Sequence, residues 1–348
     1  MKKTNQNISP VTKLWHESRL KITDSFPTPP EVILIGNSVI GTLGNFSAST
    51  GKAKSKKTFN VCSIVAAAMS NSTILQYTAS LPLDQNKILY IDTEQSPFHC
   101  KIVLQRILNL ARLPLSKHPE TIEFLSLRRH SPSVRLDIIE EAIYKSEGHG
   151  LVVIDGIRDL AYDINSSTEA TDLISKLMRW TDEKNIHIHT VLHQNKGDNN
   201  SRGHIGTELN NKAETILQIA KDFSEPDISV VSAVHIRARE FEKFAFKIDQ
   251  FGLPILIDEH KFSDNRNRRG VDFDTISDKD HLEILLNVFP EKSNLTYGDL
   301  IKSLTMAYET MGYNFGNNKT KELKVFLEKR CFILKLGKHY QLNSEFES

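Results

Sequence analysis

Cysteine is scarce in this chain, with three residues in 348: Cys62, Cys100 and Cys331. They stand at no metal-ligand spacing and cannot all be paired, which argues against a disulfide scaffold and for a reducing, cytoplasmic setting. No apolar run approaches the roughly 20 residues that span a bilayer, so no membrane segment is predicted. Charge of one sign is lacking too. Lys and Arg number 44 against 43 Asp and Glu, a formal net charge of +1. That excludes a wholesale basic coat for nucleic acid but leaves room for local patches, because a field depends on where charges sit. Repeats and low-complexity tracts are absent, and basic residues at the start, Met1 to Asn7, have no apolar core behind them, so no secretory signal is expected there. What is present, 39% hydrophobic and 25% charged residues, suits a globular chain with one large and one small domain.

Two composition shifts divide the chain. Phe26-Pro27-Thr28-Pro29-Pro30 cannot be helix or central strand and closes an N-terminal arm, 1–30. The run from Lys261 to Gly270, KFSDNRNRRG, is polar and basic without apolar periodicity, and opens a linker, 261–277. Between them, β-rich runs alternate with helical patterns. Strands are predicted at Ile88–Asp92, Ile122–Leu127, Leu151–Asp155 and Ile186–His193, and helices near 57–70, 97–111, 134–146 and 168–184. Near-continuous apolar strands alternating with helices mean a mostly parallel sheet covered on both faces. From 214, 228 and 243 three consecutive strands predict an antiparallel extension.

The stretch Ser47 to Phe59, SASTGKAKSKKTF, is predicted to follow a strand at Leu43–Phe46 and to lead into a helix. Gly51-Lys52-Ala53-Lys54-Ser55-Lys56-Lys57-Thr58 fits G-x-x-x-x-G-K-[ST] except that Lys56 replaces the second glycine. Such a loop wraps backbone N–H groups around phosphates at a helix N-terminus, sets an ammonium on the β/γ oxygens and a hydroxyl on Mg²⁺. Gly51 permits the turn, Lys57 supplies the ammonium, Thr58 the hydroxyl, and Gly51 through Phe59 form the nucleotide-binding segment. A solvated lysine cluster before a helix is the competing reading. Lys56 either keeps ordinary dihedrals or is held in strain by its surroundings.

Carboxylates end two of the strands. YIDTEQ, Tyr90 to Gln95, puts Asp92 and Glu94 at a C-terminal edge, where α/β sheets bind ligands. LVVIDG, Leu151 to Gly156, ends an apolar strand in Asp155, the Walker B form that sets the Mg²⁺ shell with Thr58. The next strand ends in His193-Gln194-Asn195-Lys196. His187, His189 and His193 share a strand face at period two, without a carboxylate or cysteine at zinc-ligand spacing, so hydrogen-bonded core histidines are the expectation.

The order GKAKSKKT, YIDTEQ, LVVIDG, VLHQNK, HIRARE and FKID resembles the RecA-like ATPases over about residues 31–257, in particular the DnaB, KaiC and RepA branch of hexameric helicases and their relatives on mobile elements. The resemblance implies an α/β RecA-like domain, 31–260, that hydrolyses ATP with Mg²⁺. It makes Glu94 the residue that polarises the attacking water and Gln194 the polar residue after the sensor strand. Arg237 and Arg239, read as alternate residues on one strand face, match a basic pair that reaches the γ-phosphate of a neighbouring subunit; ordinary exposed strand charges are the alternative. It also implies a homo-oligomer, most simply a hexamer, with single-stranded DNA in its channel and a role in replication, mobilisation or maintenance of a mobile element. The polar loop Gln194–Glu208 would face that channel, with Lys196, Arg202 and His204 as phosphate contacts. A surface loop closing over ATP competes with that reading.

The region 278–343 is predicted as a separate unit of three helices, Lys279–Val288, one capped at Thr296, and Asn318–Arg330, then a hairpin turning at Gly337, before a tail 344–348. This order resembles a winged helix-turn-helix domain in pattern. It implies duplex DNA contact through Lys319, Lys321 and Lys324 of the third helix and Lys338 at the wing tip. Use of the same surface for protein contacts is the alternative.

Overall fold

A computed structural model describes the chain except for residues 1–8, 195–202, 223, 259, 261, 263–272, 291–292, 314 and 344–348. Lys196, Arg202, most of the basic linker and the tail therefore lie outside the described residues. The chain divides into two compact units, Met1–Lys261 and Phe262–Ser348.

The first unit opens with helix α1 (Pro10–Glu17), which buries none of its residues. Strands β1 (Glu31–Ile35) and β2 (Ser38–Thr42) follow, then β3 (Phe46–Gly51), helix α2 (Lys57–Ser70) and two short strands, β4 (Thr73–Ile74) and β5 (Tyr77–Ala79). Next come β6 (Lys87–Asp92), α3 (Pro97–Leu110), β7 (Ile122–Ser126), α4 (Pro132–Lys145), β8 (His149–Asp155), α5 (Ser167–Lys184), β9 (His187–His193) and α6 (Gly203–Lys212). Four strands close the unit: β10 (Thr215–Lys221), β11 (Ile228–Ile236), β12 (Phe244–Ile248) and β13 (Pro254–Ile257).

Nine strands form one sheet in the order β13-β12-β11-β10-β3-β9-β8-β6-β7. The six from β10 to β7 are parallel, and β11, β12 and β13 are antiparallel. This mostly parallel sheet with helices on its faces is the α/β arrangement predicted from the sequence. The antiparallel extension begins one strand later than predicted, because β10 pairs parallel with β3 from Thr215↔Ser47 to Gln218↔Thr50. A separate four-stranded sheet, β2-β1-β5-β4, has no counterpart in the sequence reading.

Alternation along β8 explains the two-sided burial. Leu151 and Val153 pack with α2 and α3, Val152 and Ile154 with α4, α5 and α6, and all four are fully buried. Each such side chain contributes about 1.5–3 kcal/mol, enough for the strand to carry an acid, Asp155, at its end. Helix α2 is buried nearly all round, from Asn60 to Ala68, and the Asn60 amide oxygen accepts from the Tyr77 hydroxyl at 3.0 Å.

The strand before the phosphate loop lies further along than expected: it is Phe46–Gly51, not Leu43–Phe46. Ser-Ala-Ser-Thr-Gly has little β preference alone. It is held as a buried strand because the Ser47 hydroxyl bonds His187 Nε2 at 2.7 Å and His189 Nδ1 at 2.8 Å, and the Ser49 hydroxyl bonds His189 Nε2 at 2.8 Å. His187 and His189 are thus hydrogen-bonded core residues, and no cluster of three metal-binding side chains occurs among the described residues.

In the second unit, α7 (Asp278–Val288), β14 (Leu295–Thr296), α8 (Tyr297–Thr310) and α9 (Asn317–Lys329) precede a hairpin, β15 (Ile333–Leu336) and β16 (His339–Leu342), to which β14 adds a third strand. Thr296 caps α8, its hydroxyl accepting from Asp299 N–H at 3.4 Å. The unit has its own core around Leu285, Leu304, Tyr308, Leu323 and Phe332. No described helix is long and apolar enough to cross a membrane.

Candidate nucleotide-binding site

Four strand ends, those of β3, β6, β8 and β9, and one helix start meet at the C-terminal edge of the parallel sheet. β3 ends at Gly51, the loop 52–56 follows, and α2 begins at Lys57 with no side-chain cap and no acid in its first turn. Those first N–H groups have no partner within the helix, which makes the terminus a site for an anion. Gly51 is required by space rather than by dihedral: a Cβ there would sit 2.2 Å from Ile219 O and 2.6 Å from Ser55 Oγ.

Lys56 is in the left-handed region, φ 67°, as is Lys54 at 65°. The backbone therefore keeps a conformation suited to the missing glycine, at roughly 1–2 kcal/mol for a residue with a Cβ. The side chain offsets part of that cost. Its ammonium donates to Asp227 O in the β10–β11 turn, and the Ser229 hydroxyl donates to Ser55 O at 3.3 Å. Burial lowers the Lys56 pKa, against the pull of Asp227. Lys56→Ala keeps the strained backbone and loses the brace, whereas Lys56→Gly loses the brace and relieves the strain. The glycine variant is expected to be the more stable of the two by about 1 kcal/mol, read as a difference in urea midpoint; an alanine variant at least as stable would overturn the strain argument.

Lys57 is buried, and its ammonium donates to Gly51 O at 2.9 Å, Lys52 O at 3.0 Å and His193 Nδ1 at 3.0 Å. Burial pulls its pKa down to about 8, opposed by Asp155 and Glu94. The Thr58 hydroxyl donates to Asp155 Oδ2 at 3.0 Å, and the Tyr90 hydroxyl donates to the same oxygen at 2.9 Å. Asp92 works differently. Its Oδ1 accepts from the backbone N–H of Glu94 at 2.9 Å and of Gln95 at 2.7 Å, so it shapes the turn that presents Glu94. Glu94 itself stands 3.5 Å from His193 Nε2. That hydrogen bond lowers its pKa, and burial opposes the shift. Lys54, Lys57, Thr58, Glu94, Asp155 and His193 are among the walls of one cleft of about 290 Å³.

The donors fit Mg²⁺: the Thr58 hydroxyl and the Asp155 carboxylate meet, a pair of hard oxygen ligands of the kind that holds the ion in phosphate loops. Burial, with Asp92 nearby, pushes Asp155 up to about 6. Ser55 Oγ is buried without a hydrogen-bond partner, an orphan in the loop where phosphate oxygens would lie. The raised Asp155 pKa fixes a sign. Its contribution to stability is complete below the unfolded value near 4 and is lost as pH rises through about 6. In divalent-free buffer Asp155→Asn should therefore be more stable than wild type at pH 8, by on the order of 3 kcal/mol, with the gap shrinking toward pH 5. Urea melts at both pH values check this, and a pH-independent gap would contradict it.

Gln194 is buried beside the loop, its backbone N–H donating to Gly51 O at 3.0 Å. His193 is a site residue not predicted from the sequence, where it reads as one of three histidines at period two; Tyr90, on Asp155, and Arg106, in the wall of the cleft, are others. The signal for His193 lies in its place: it ends β9 at the edge where Asp92 and Asp155 end β6 and β8.

Arg237 and Arg239 do not alternate on one strand, because β11 ends at Ile236 and the chain bends there. The Arg237 guanidinium donates to Lys212 O at 3.1 Å and its N–H to Glu214 O at 3.1 Å. Ile236 pairs with Thr215, and Thr215 with Ser47, so this pair lies toward the sheet edge opposite Gly51. The expected loop 194–208 is shorter than predicted, since α6 starts at Gly203; His204 is exposed on that helix, its N–H donating to Ile164 O at 3.0 Å. In the second unit Lys321 and Lys338 are exposed, while Lys319 donates to Glu322 Oε2 at 2.9 Å and Lys324 pairs with Glu328 at 2.6 Å.

Residues 16–199 match the AAA domain family. That span holds the loop, Glu94, Asp155 and His193. No curated protein matches the chain. Among solved structures, one described as the crystal structure of the RadB recombinase is similar with a TM-score of 0.43 and 14% identity, covering 60% of this chain and 90% of that one.

Proposed function

The chain belongs to the AAA domain family, and from that premise we propose that it is a Mg²⁺-dependent ATPase of the RecA-like kind, in the DnaB, KaiC and RepA branch, acting on DNA. One observation carries the reading. The uncapped start of α2, with Lys57 at its mouth, lies beside a Thr58 hydroxyl that touches Asp155 at 3.0 Å, which is the set of groups that in-line attack of water on a γ-phosphate needs.

Bound Mg²⁺ would supply charge neutralisation on the β- and γ-oxygens, held by Thr58 and Asp155. Loop amides from Lys52 to Thr58 and the Lys57 ammonium bind the phosphates, Glu94 orients the water, and Gln194 lies at the end of the strand beside the loop. Arg237 and Arg239, toward the opposite edge of their own sheet, suit a role only in a neighbour's site. That favours a homo-oligomer, with a hexamer as the simplest ring. DNA would be met by the segment carrying Lys196, Arg202 and His204, and as duplex by the second unit, whose three helices and ribbon support a winged helix with Lys321 and Lys338 among its exposed cations. A role in replication, mobilisation or maintenance of a mobile element rests on the sequence resemblance.

A second reading, a DNA-binding regulator that uses nucleotide as a slow switch, is favoured by the left-handed Lys56 and by a Lys57 tied to three acceptors. One experiment separates the readings. A non-hydrolysable ATP analogue with Mg²⁺ should raise the thermal midpoint, and single-stranded DNA should stimulate phosphate release several-fold. Stabilisation with slow, DNA-indifferent turnover favours the switch, and no stabilisation at millimolar analogue removes nucleotide binding altogether.

A further inference from the structure

His193 touches both charged groups of the proposed chemistry. Its Nδ1 is 3.0 Å from the Lys57 ammonium and its Nε2 is 3.5 Å from Glu94 Oε1. An ammonium has only donors, so Nδ1 accepts, and the ring proton sits on Nε2, facing the carboxylate. The three protons of Lys57 are all engaged, by Gly51 O, Lys52 O and His193. A phosphate oxygen can be gripped only if one of these bonds is exchanged. The two carbonyls are main-chain atoms at the end of β3 and the start of the loop, so the bond to the imidazole is the one that Lys57 gives up when its own side chain turns.

We infer that His193 is a positioning residue that couples the phosphate-gripping lysine to the water-orienting carboxylate. With the phosphate site empty it holds Lys57 back and Glu94 forward. When Lys57 turns to a phosphate oxygen, Nδ1 is released while Nε2–H keeps Glu94 aimed into the cleft. The low pKa of Glu94, set first by this hydrogen bond, agrees with a carboxylate kept ionised for that work.

This inference rests on the ATPase reading, and the test separates the two. Phosphate release from Mg-ATP and stabilisation by the non-hydrolysable analogue are measured for wild type, His193→Ala, His193→Gln and His193→Asn. The glutamine amide N–H reaches about where Nε2–H does, and the asparagine amide only where Nδ1 does. The expected result is a fall in kcat of at least 10-fold for alanine and asparagine. KM and analogue-induced stabilisation should stay within about 2-fold, with substantial recovery of kcat in the glutamine variant. The inference is overturned if alanine matches wild type, if glutamine is no better than asparagine, or if the loss falls on KM and analogue binding instead. A wild-type protein that neither binds the analogue nor releases phosphate sinks the ATPase reading and this coupling together.

Discussion

Glu94→Gln should still bind ATP and fail to turn it over. The substitution keeps shape and the hydrogen bond that His193 Nε2 donates, since an amide oxygen can accept it. Asp92 continues to hold the backbone N–H of residue 94 at 2.9 Å, so the turn is not disturbed. Only the carboxylate is removed, and with it the group that orients and polarises water. Positioned acid–base groups contribute about 10²–10⁴ in rate, so kcat should fall by that amount at nearly unchanged KM. Stabilisation by the non-hydrolysable analogue should match wild type. Hydrolysis at more than a tenth of the wild-type rate would mean that another group activates the water.

Gly51→Ala should abolish nucleotide binding. Its Cβ would lie 2.2 Å from Ile219 O, a backbone atom of β10, and 2.6 Å from Ser55 Oγ. The Ser55 hydroxyl has no hydrogen-bond partner and can turn aside, but Ile219 O cannot yield cheaply, because it is main chain of β10, whose Gln218 pairs with Thr50 of β3. Gly51 O also accepts from Lys57 and from the Gln194 N–H, so pushing β3 away from β10 dislocates the ammonium as well. Overpacking of this kind costs about 1–3 kcal/mol or more. The expected outcome is a lower thermal midpoint and no analogue-induced shift. Gly298→Ala, where a Cβ meets nothing within 4 Å, is the control and should leave both unchanged. A Gly51→Ala protein that binds the analogue as wild type does would show that the loop relaxes more freely than its neighbours suggest.

The parts of this architecture legible in the sequence are those in which local pattern and tertiary role agree. Leu151-Val152-Val153-Ile154 reads as a buried parallel strand because both faces are covered, and an acid after such a run has to meet a partner, here Thr58 and Tyr90. The helices of the second unit announce themselves through caps and apolar spacing. β3 is the opposite case. Its serines are polar by composition and buried by context, and their histidine partners lie some 140 residues later on β9. The direction of β10 is equally silent, since alternation reports faces and not orientation. Arg237 looks like a strand residue because two positions of separation preserve the period, but a bend at the strand end leaves no trace in it. His193 is hidden among histidines of another kind, and only the sheet order shows that it stands at a working edge.

Those histidines share one strand yet carry opposite polarity. A backbone carbonyl can only accept, so His187 donates from Nδ1 to Thr42 O at 2.9 Å and its Nε2 must receive the Ser47 proton. Ser47 then accepts from Nδ1 of His189, whose Nε2 receives the Ser49 proton. The chain of donors runs one way, from Ser49 down to Thr42, and fixes both rings as the same neutral tautomer. Burial keeps them uncharged, with pKa values pulled down to about 4 and about 3. Four residues on, His193 bears its proton on the other nitrogen. The strand therefore changes tautomer where it passes from core to cleft, and nitrogen NMR shifts would mark that crossing without any ligand present.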